Sequence, residues 1–236
     1  MIGILNAYHF DKDPNSYQKD YSPMLNQYLK KFLTDQSFRE YNVAQGQFPK
    51  SVNECDGWIV TGSPASCYDE NKWILQLIEF TQKCHQRKKK LLGICFGHQL
   101  IALALGGEVQ NSNKGWGVGI KSFTITKHKS WMSGGKKSMS LLFSHKDQVT
   151  KLPPNSTLLA ADDFCPYQMY SIEDHIFSLQ GHPEFSKEYA KKRYDTRAQL
   201  LGKQVYDVAI DSLSEPMDSE LFAHWIKIFF TLPIDL

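Results

Sequence analysis

The chain has 236 residues, with 27 Lys and Arg against 25 Asp and Glu for a formal balance of +2, and 42% of it is apolar and 13% aromatic. Such a composition supports a sizeable buried core and excludes a disordered polyelectrolyte. It offers no concentrated basic face for nucleic acid; the one compact basic run, Arg87 to Lys90, reads as a solvated helix end favoured by the helix dipole rather than a polyanion site. No apolar stretch approaches the roughly 18 residues of a membrane span, and Met1 leads into Ile2-Gly3-Ile4-Leu5 with no charged leader. A cytoplasmic protein that does not engage a membrane is expected. Five cysteines, odd in number and without a C-x-x-C pair, suggest neither a disulfide framework nor a zinc site. The question they raise is whether one is a nucleophile.

Ile2 to Ala7 reads as the first strand. Ser22 as N-cap with Pro23 at the first helical position then opens a helix in which Tyr21, Leu25, Tyr28, Leu29 and Phe32 recur at helical spacing. Gly57 to Thr61 is a buried-type strand ending at Gly62-Ser63-Pro64, and Asn71 to about Lys88 carries Trp73, Ile74, Leu77, Ile78 and Cys84 on a helical stripe. Leu91 to Ile94 follows as a central strand, and Gly97 to Leu105 as a helix closed by Gly106-Gly107. Apolar runs alternating with helical patterns in this way predict β-α-β units and a parallel sheet. From Gly115-Trp116-Gly117-Val118-Gly119 onward the character changes. Short strands near 119–126, 138–143, 157–161 and 175–180 read as antiparallel additions, and two helical stretches finish the chain, the last with Leu221, Trp225 and Ile228 on one face. No repeat, low-complexity tract or Gly/Ser linker divides it, so one domain over 1–236 is expected, with about 201–236 as a helical C-terminal extension.

Cys95 falls where a strand meets a helix, between glycines in Gly93-Ile94-Cys95-Phe96-Gly97, at the sheet edge where α/β proteins place their ligands. A sharp strand-to-helix turn needs small neighbours for a nucleophile to project, and the positive end of the helix favours a negative sulfur. A buried structural cysteine is the alternative, and it suits Cys55 and Cys84. Gln99, four residues on, returns to the face of the sulfur, where it can hold a substrate or simply be solvated; His98 points elsewhere and reads as structural.

A cysteine nucleophile wants a base with an orienting group, and Gly181-His182-Pro183-Glu184 supplies both: Pro183 holds His182 extended, so that Glu184 accepts from one ring nitrogen and the other exchanges a proton with Cys95. Ser144-His145-Lys146-Asp147 spells a rival H-x-D pair without the proline. Ser144, His145 and Asp147 are placed at the pocket rim, as partners for an amino-acid ammonium and carboxylate. Acyl transfer also needs oxyanion donors, and the Phe96 N–H together with the Gly62-Ser63-Pro64 turn can provide them. Ser133 to Ser138 imitates a phosphate loop without its defining residues, so no nucleotide site is expected.

Taken together, G-I-C-F-G-H-Q at 93–99 and G-H-P-E at 181–184 resemble the class I (triad) glutamine amidotransferase family, whose pattern is G-x-C-x-G-x-Q and H-P-E. Thr61-Gly62-Ser63-Pro64, Gly106-Gly107, Ser144-His145-x-Asp147 and Cys165-Pro166 also fall in the order seen in the amidotransferase part of GMP synthetases. The resemblance implies a flavodoxin-like α/β fold, a mostly parallel twisted sheet with helices on both faces. It implies Cys95, His182 and Glu184 as a triad, Ser63 and Phe96 as oxyanion donors, and Gln99 as a contact to glutamine. Ser63 and Lys146 depart from the glycines of GMP synthetases. No synthetase domain is expected to follow, and the tail is more similar to the stand-alone γ-glutamyl peptidases. The implied activity is hydrolysis of the γ-glutamyl amide of glutamine or another γ-glutamyl small molecule through a γ-glutamyl thioester, with no metal or organic cofactor. Two other readings stay open: an ammonia-supplying subunit that docks on a synthetase partner, and a non-catalytic regulatory member of the fold.

Overall fold

The computed structural model describes residues 1–8 and 21–234. Its first half runs β1 (Ile2–Leu5), α1 (Tyr21–Phe32), β2 (Phe38–Tyr41), β3 (Gly57–Val60), α2 (Lys72–Gln86), β4 (Lys90–Ile94) and α3 (Phe96–Ala104). Then come β5 (Glu108–Asn111), β6 (Gly117–Ile125), β7 (Ser138–His145), β8 (Asp147–Lys151), β9 (Ser156–Ala161), β10 (Met169–Ile172) and β11 (Ile176–Leu179). Helices α4 (Lys187–Thr196), α5 (Ala198–Leu201), α6 (Lys203–Asp211) and α7 (Ser219–Thr231) follow. Where two terminal helical stretches are expected there are four helices, because Arg197 and Gly202 divide the first stretch into α4, α5 and α6. Residues 235–236 of the expected extension lie outside the described residues.

Nine strands form one sheet in the order β2-β1-β3-β4-β11-β10-β9-β6-β7, and β5 pairs with β8 in a small antiparallel ribbon. Strands β2 through β11 of that order are parallel, and the remainder antiparallel. The 175–180 segment thus departs from expectation: β11 lies parallel to β4, with Leu179 opposite Ile94, and is antiparallel only to β10. All four of its residues are buried, which is the pattern of a central strand covered on both faces.

Period-two alternation sends side chains to two separate cores. Ile2, Ile4, Ile59, Leu92, Ile94, Phe177 and Leu179 pack with Leu25 and Leu29 of α1 and Phe222, Trp225 and Phe229 of α7. Leu5, Trp58, Val60, Leu91 and Ile176 face the other way, onto Ile74 and Leu77 of α2 and Leu100 and Ile101 of α3. Helices on both faces of a mostly parallel centre give the flavodoxin-like architecture. Among the described residues no helix is long and apolar enough to cross a membrane.

Two local expectations are corrected. Ser22 lies within α1 rather than capping it, and its hydroxyl donates to the Glu40 carboxylate at 2.7–2.8 Å. Lys90 is not part of a solvated helix end: it begins β4, is 5% exposed, donates to the Asp174 carbonyl at 2.8 Å and lies over the Phe229 ring at 4.7 Å. An apolar neighbourhood accepts the lysine stem while its ammonium reaches a carbonyl.

Candidate active site

Because β4 ends at Ile94 and α3 begins at Phe96, Cys95 alone turns the chain. Its φ of 52° and ψ of −99° are strained for a side chain with a Cβ, at a cost of about 1–3 kcal/mol. The turn is too tight for anything but glycine two residues to either side of Cys95. A Cβ on Gly97 would sit 2.3 Å from the Val60 carbonyl oxygen, and one on Gly93 would sit 2.7 Å from the Gly97 backbone. The Cys95 N–H donates to the Leu179 carbonyl at 2.9 Å, which ties the elbow to the end of β11. Cys95 is 5% exposed and lines a cavity of about 180 Å³. All five cysteines are free thiols, and burial pushes Cys67, Cys84 and Cys165 up to about 12, so these three stay protonated.

His182 follows β11 directly and is held by its N–H donating to the Leu142 carbonyl at 2.8 Å. Its Nδ1–H donates to Glu184 Oε1 at 2.7 Å, and Phe185 stacks on its ring at 3.8 Å and 13°. Both members of the pair are 3% exposed. Burial works to lower the pKa of the imidazole, but the Glu184 carboxylate and the Cys95 sulfur outweigh it and lift it to about 9. The ring's Nε2 is buried without a formed hydrogen bond among the described residues, while the sulfur is near enough to act on its protonation. That arrangement can hold a proton on the imidazole and return it to a departing group.

The oxyanion candidates divide. Phe96 opens α3, where a backbone N–H has no acceptor within the helix. Ser63 lines the cavity with Cys95, whereas the Gly62 N–H is already donated to the Tyr21 hydroxyl at 3.2 Å. Gly62 also packs on the imidazole: a Cβ there would lie 3.0 Å from His182 Cε1.

Gln99, Ser144, His145 and Asp147 all line the same cavity, but each is held by the protein in its own way. The Gln99 amide nitrogen donates to the Asp147 carbonyl at 2.7 Å and to Gln180 Oε1 at 3.0 Å, so a substrate would meet its amide oxygen. Ser144 Oγ accepts from Arg193 Nε at 2.7 Å. His145 is 4% exposed and donates through Nδ1 to the Asp147 carbonyl at 3.1 Å. Burial lowers its pKa to about 4, aided by the neighbouring His182 and Lys121 and opposed by that hydrogen bond. The Asp147 carboxylate accepts from Ser66 at 2.5 Å, Tyr68 at 2.9 Å and Asn111 at 3.1 Å. His98, fully buried on Ser178 at 2.9 Å, has the packed environment expected of it.

Residues that sequence reasoning missed include Gln180, whose amide nitrogen donates to Cys95 Sγ at 3.5 Å, and Arg193, a buried cation in the cavity wall. Gln180 carried a usable signal: it lies two residues before His182 in extended chain, and so on the same side. Arg193 carried none, since it stands among the lysines of a helix whose basic residues read as a solvated face.

A family model for the class-I glutamine amidotransferases matches residues 17–197. The chain is 36% identical over 185 residues to γ-glutamyl peptidase 3 of Arabidopsis thaliana, a match that covers 75% of this chain and 74% of that one. It shares 29% identity over 143 residues with the glutamine-hydrolyzing GMP synthase of Bacteroides fragilis, covering 60% of this chain and 27% of that protein. A solved glutamine amidotransferase structure from Thermotoga maritima superposes with a TM-score of 0.76 at 15% identity, over 98% of this chain and 99% of that one, which is a likeness of fold. With the family model spanning most of the chain and a relative this similar, the chain belongs to the class-I glutamine amidotransferase family.

Proposed function

We propose that this chain hydrolyses the γ-glutamyl amide bond of γ-glutamyl peptides, with Cys95 as nucleophile, His182 as the proton carrier and Glu184 as its orienting acid. The observation that carries this reading is the His182–Glu184 bond of 2.7 Å beside a cysteine strained into the turn of the β4–α3 elbow. In the first half-reaction the sulfur bonds to the γ-carbonyl carbon, its proton residing on His182, and the carbonyl oxygen becomes an oxyanion met by the N–H groups of Phe96 and Ser63. The C–N bond then breaks as His182 gives the proton to the leaving amine, which leaves a γ-glutamyl thioester. Water reverses the roles: its proton goes to His182, its oxygen to the carbonyl carbon, and the C–S bond breaks to release glutamate.

The charge of the cavity suits a γ-glutamyl substrate. Among the described residues its wall carries the cations Lys146, Arg193 and Arg197 against the carboxylate of Asp147, which three neutral donors already hold. Arg197 lies over the Trp116 ring at 5.5 Å, on the side of α4. Such a wall suits the α-carboxylate that glutamine and γ-glutamyl peptides share. The relatives named γ-glutamyl peptidase favour a peptide over free glutamine. Ammonia supply to a synthetase partner is the second reading, favoured by the match to a glutamine-hydrolyzing GMP synthase.

To test this, the purified chain is mixed with glutamine or with a γ-glutamyl dipeptide, glutamate release is followed, and the acid-quenched protein is examined by mass spectrometry. Faster turnover of the dipeptide and a glutamyl adduct on the Cys95 peptide are expected. Turnover of glutamine alone would support the ammonia reading, and an adduct on another cysteine would remove Cys95 from the mechanism.

A further inference from the structure

Tyr21, the first described residue of α1, is fully buried. Its hydroxyl accepts the Gly62 N–H at 3.2 Å and donates to Glu184 Oε1 at 3.3 Å. Oε1 is also the oxygen that takes the His182 Nδ1–H, while Oε2 has no hydrogen-bond partner among the described residues. One phenol oxygen therefore joins the acid end of the His182–Glu184 pair to the turn that presents Ser63. The ring bearing it is clamped. Tyr8 stacks on it at 4.6 Å and 16°, and Phe185, itself flat on the imidazole, meets it edge-on at 6.3 Å. Burial and the charge of Glu184 hold its pKa well above the usual tyrosine value, so the hydroxyl keeps the proton it donates.

We propose that Tyr21 is a positioning residue for the reaction described above, holding the Glu184 carboxylate and the oxyanion turn in one register so that imidazole and oxyanion donors face the sulfur together. The inference rests on the hydrolase reading and adds a group that touches neither substrate nor sulfur. Packing alone would explain a buried tyrosine but would not need its oxygen. Two partners from distant parts of the chain both use that oxygen, and each is buried, so its loss strands an N–H and strips the carboxylate of a donor.

Tyr21→Phe separates the two explanations, since it keeps the ring and its stacking. With a γ-glutamyl dipeptide as substrate, kcat is expected to fall about tenfold to a hundredfold, the worth of one hydrogen bond to a charged group, with little change in KM. The alkaline limb of the kcat profile should move upward, because Glu184 relieved of one donor pulls harder on the imidazolium. Wild type and Cys95→Ala are run alongside. A wild type that releases no glutamate overturns the hydrolase reading and this inference with it; an active wild type with an unchanged kcat and limb in Tyr21→Phe overturns the inference alone. If Tyr21→Phe fails to fold, 3-fluorotyrosine introduced at position 21 alone decides the matter: the more acidic phenol donates more strongly to Glu184 and should move the limb downward. An unmoved limb there overturns the proposal.

Discussion

His182-Pro183-Glu184 and His145-Lys146-Asp147 have the same spacing of histidine and acid, and their histidines end with opposite electrostatics. In the first, the ring donates to the acid's side chain at 2.7 Å and its pKa climbs to about 9; in the second, the ring donates to the acid's backbone carbonyl at 3.1 Å and its pKa falls to about 4. The Asp147 carboxylate has turned away to Ser66, Tyr68 and Asn111. Proline accounts for part of the difference, because it keeps His182 extended and brings the side chains two apart onto one side. The rest is burial, which keeps His145 neutral with the charge of His182 aiding it. Spacing admits both outcomes, and the surroundings of each acid choose between them.

The largest expected effect tests whether Cys95 is what one of these pairs serves. Cys95→Ala should abolish glutamate release from γ-glutamyl substrates while circular dichroism stays native; activity above background would make another cysteine the nucleophile. Next, the two histidines should separate in kinetics as they do in protonation. His182→Ala should cut kcat by about 10²- to 10⁴-fold, whereas His145→Ala should mainly raise KM. Equal losses in kcat would erase the distinction.

Acid stability gives a third contrast. His145 is neutral in the fold with its pKa below the unfolded 6.5, so the unfolded chain takes up the proton first and stability falls as pH drops from 6.5 towards 4. His98, lowered by burial to about 3, adds a loss of the same sign. For His182 the sign reverses, its contribution being complete below 6.5 and lost as pH rises through about 9. Urea unfolding should show each buried neutral histidine adding up to about 1.4 kcal/mol per pH unit to the acid slope, and His145→Gln should flatten that slope. An unchanged slope would mean that His145 is not the buried neutral group described here. The smallest effect concerns Gln99: its substitution by Ala should weaken glutamine and a γ-glutamyl dipeptide alike, on the order of tenfold in kcat/KM. A loss confined to one substrate would place this amide against the leaving group.

The elements most legible in sequence are those that bury both faces. Ile2-Gly3-Ile4-Leu5, Gly57 to Val60 and Leu91 to Ile94 are continuous apolar runs, and they are the parallel centre. Edge strand β2 escapes because Phe38-Arg39-Glu40-Tyr41 exposes its middle residues, and β11 reads as an antiparallel addition because a local pattern does not specify the neighbouring strand. Cys95, His182 and Glu184 can be picked out because turn glycines and a proline mark their backbone. Tyr21 cannot be: it reads as one more apolar-face residue, and its partner Glu184 lies 163 positions away. Pairings of that kind come only from tertiary packing.

The strained backbone at Cys95 means that its place in the molecule is held by its neighbours. A φ of 52° on a residue with a Cβ persists only where the surroundings over-determine it, and here the surroundings are the Leu179 carbonyl that takes the Cys95 N–H and the bare backbones of Gly93 and Gly97. The address of the sulfur is thus written in residues other than its own: a Cβ at Gly97 would have to push the Val60 carbonyl or the elbow aside, and would shift Cys95 without altering it.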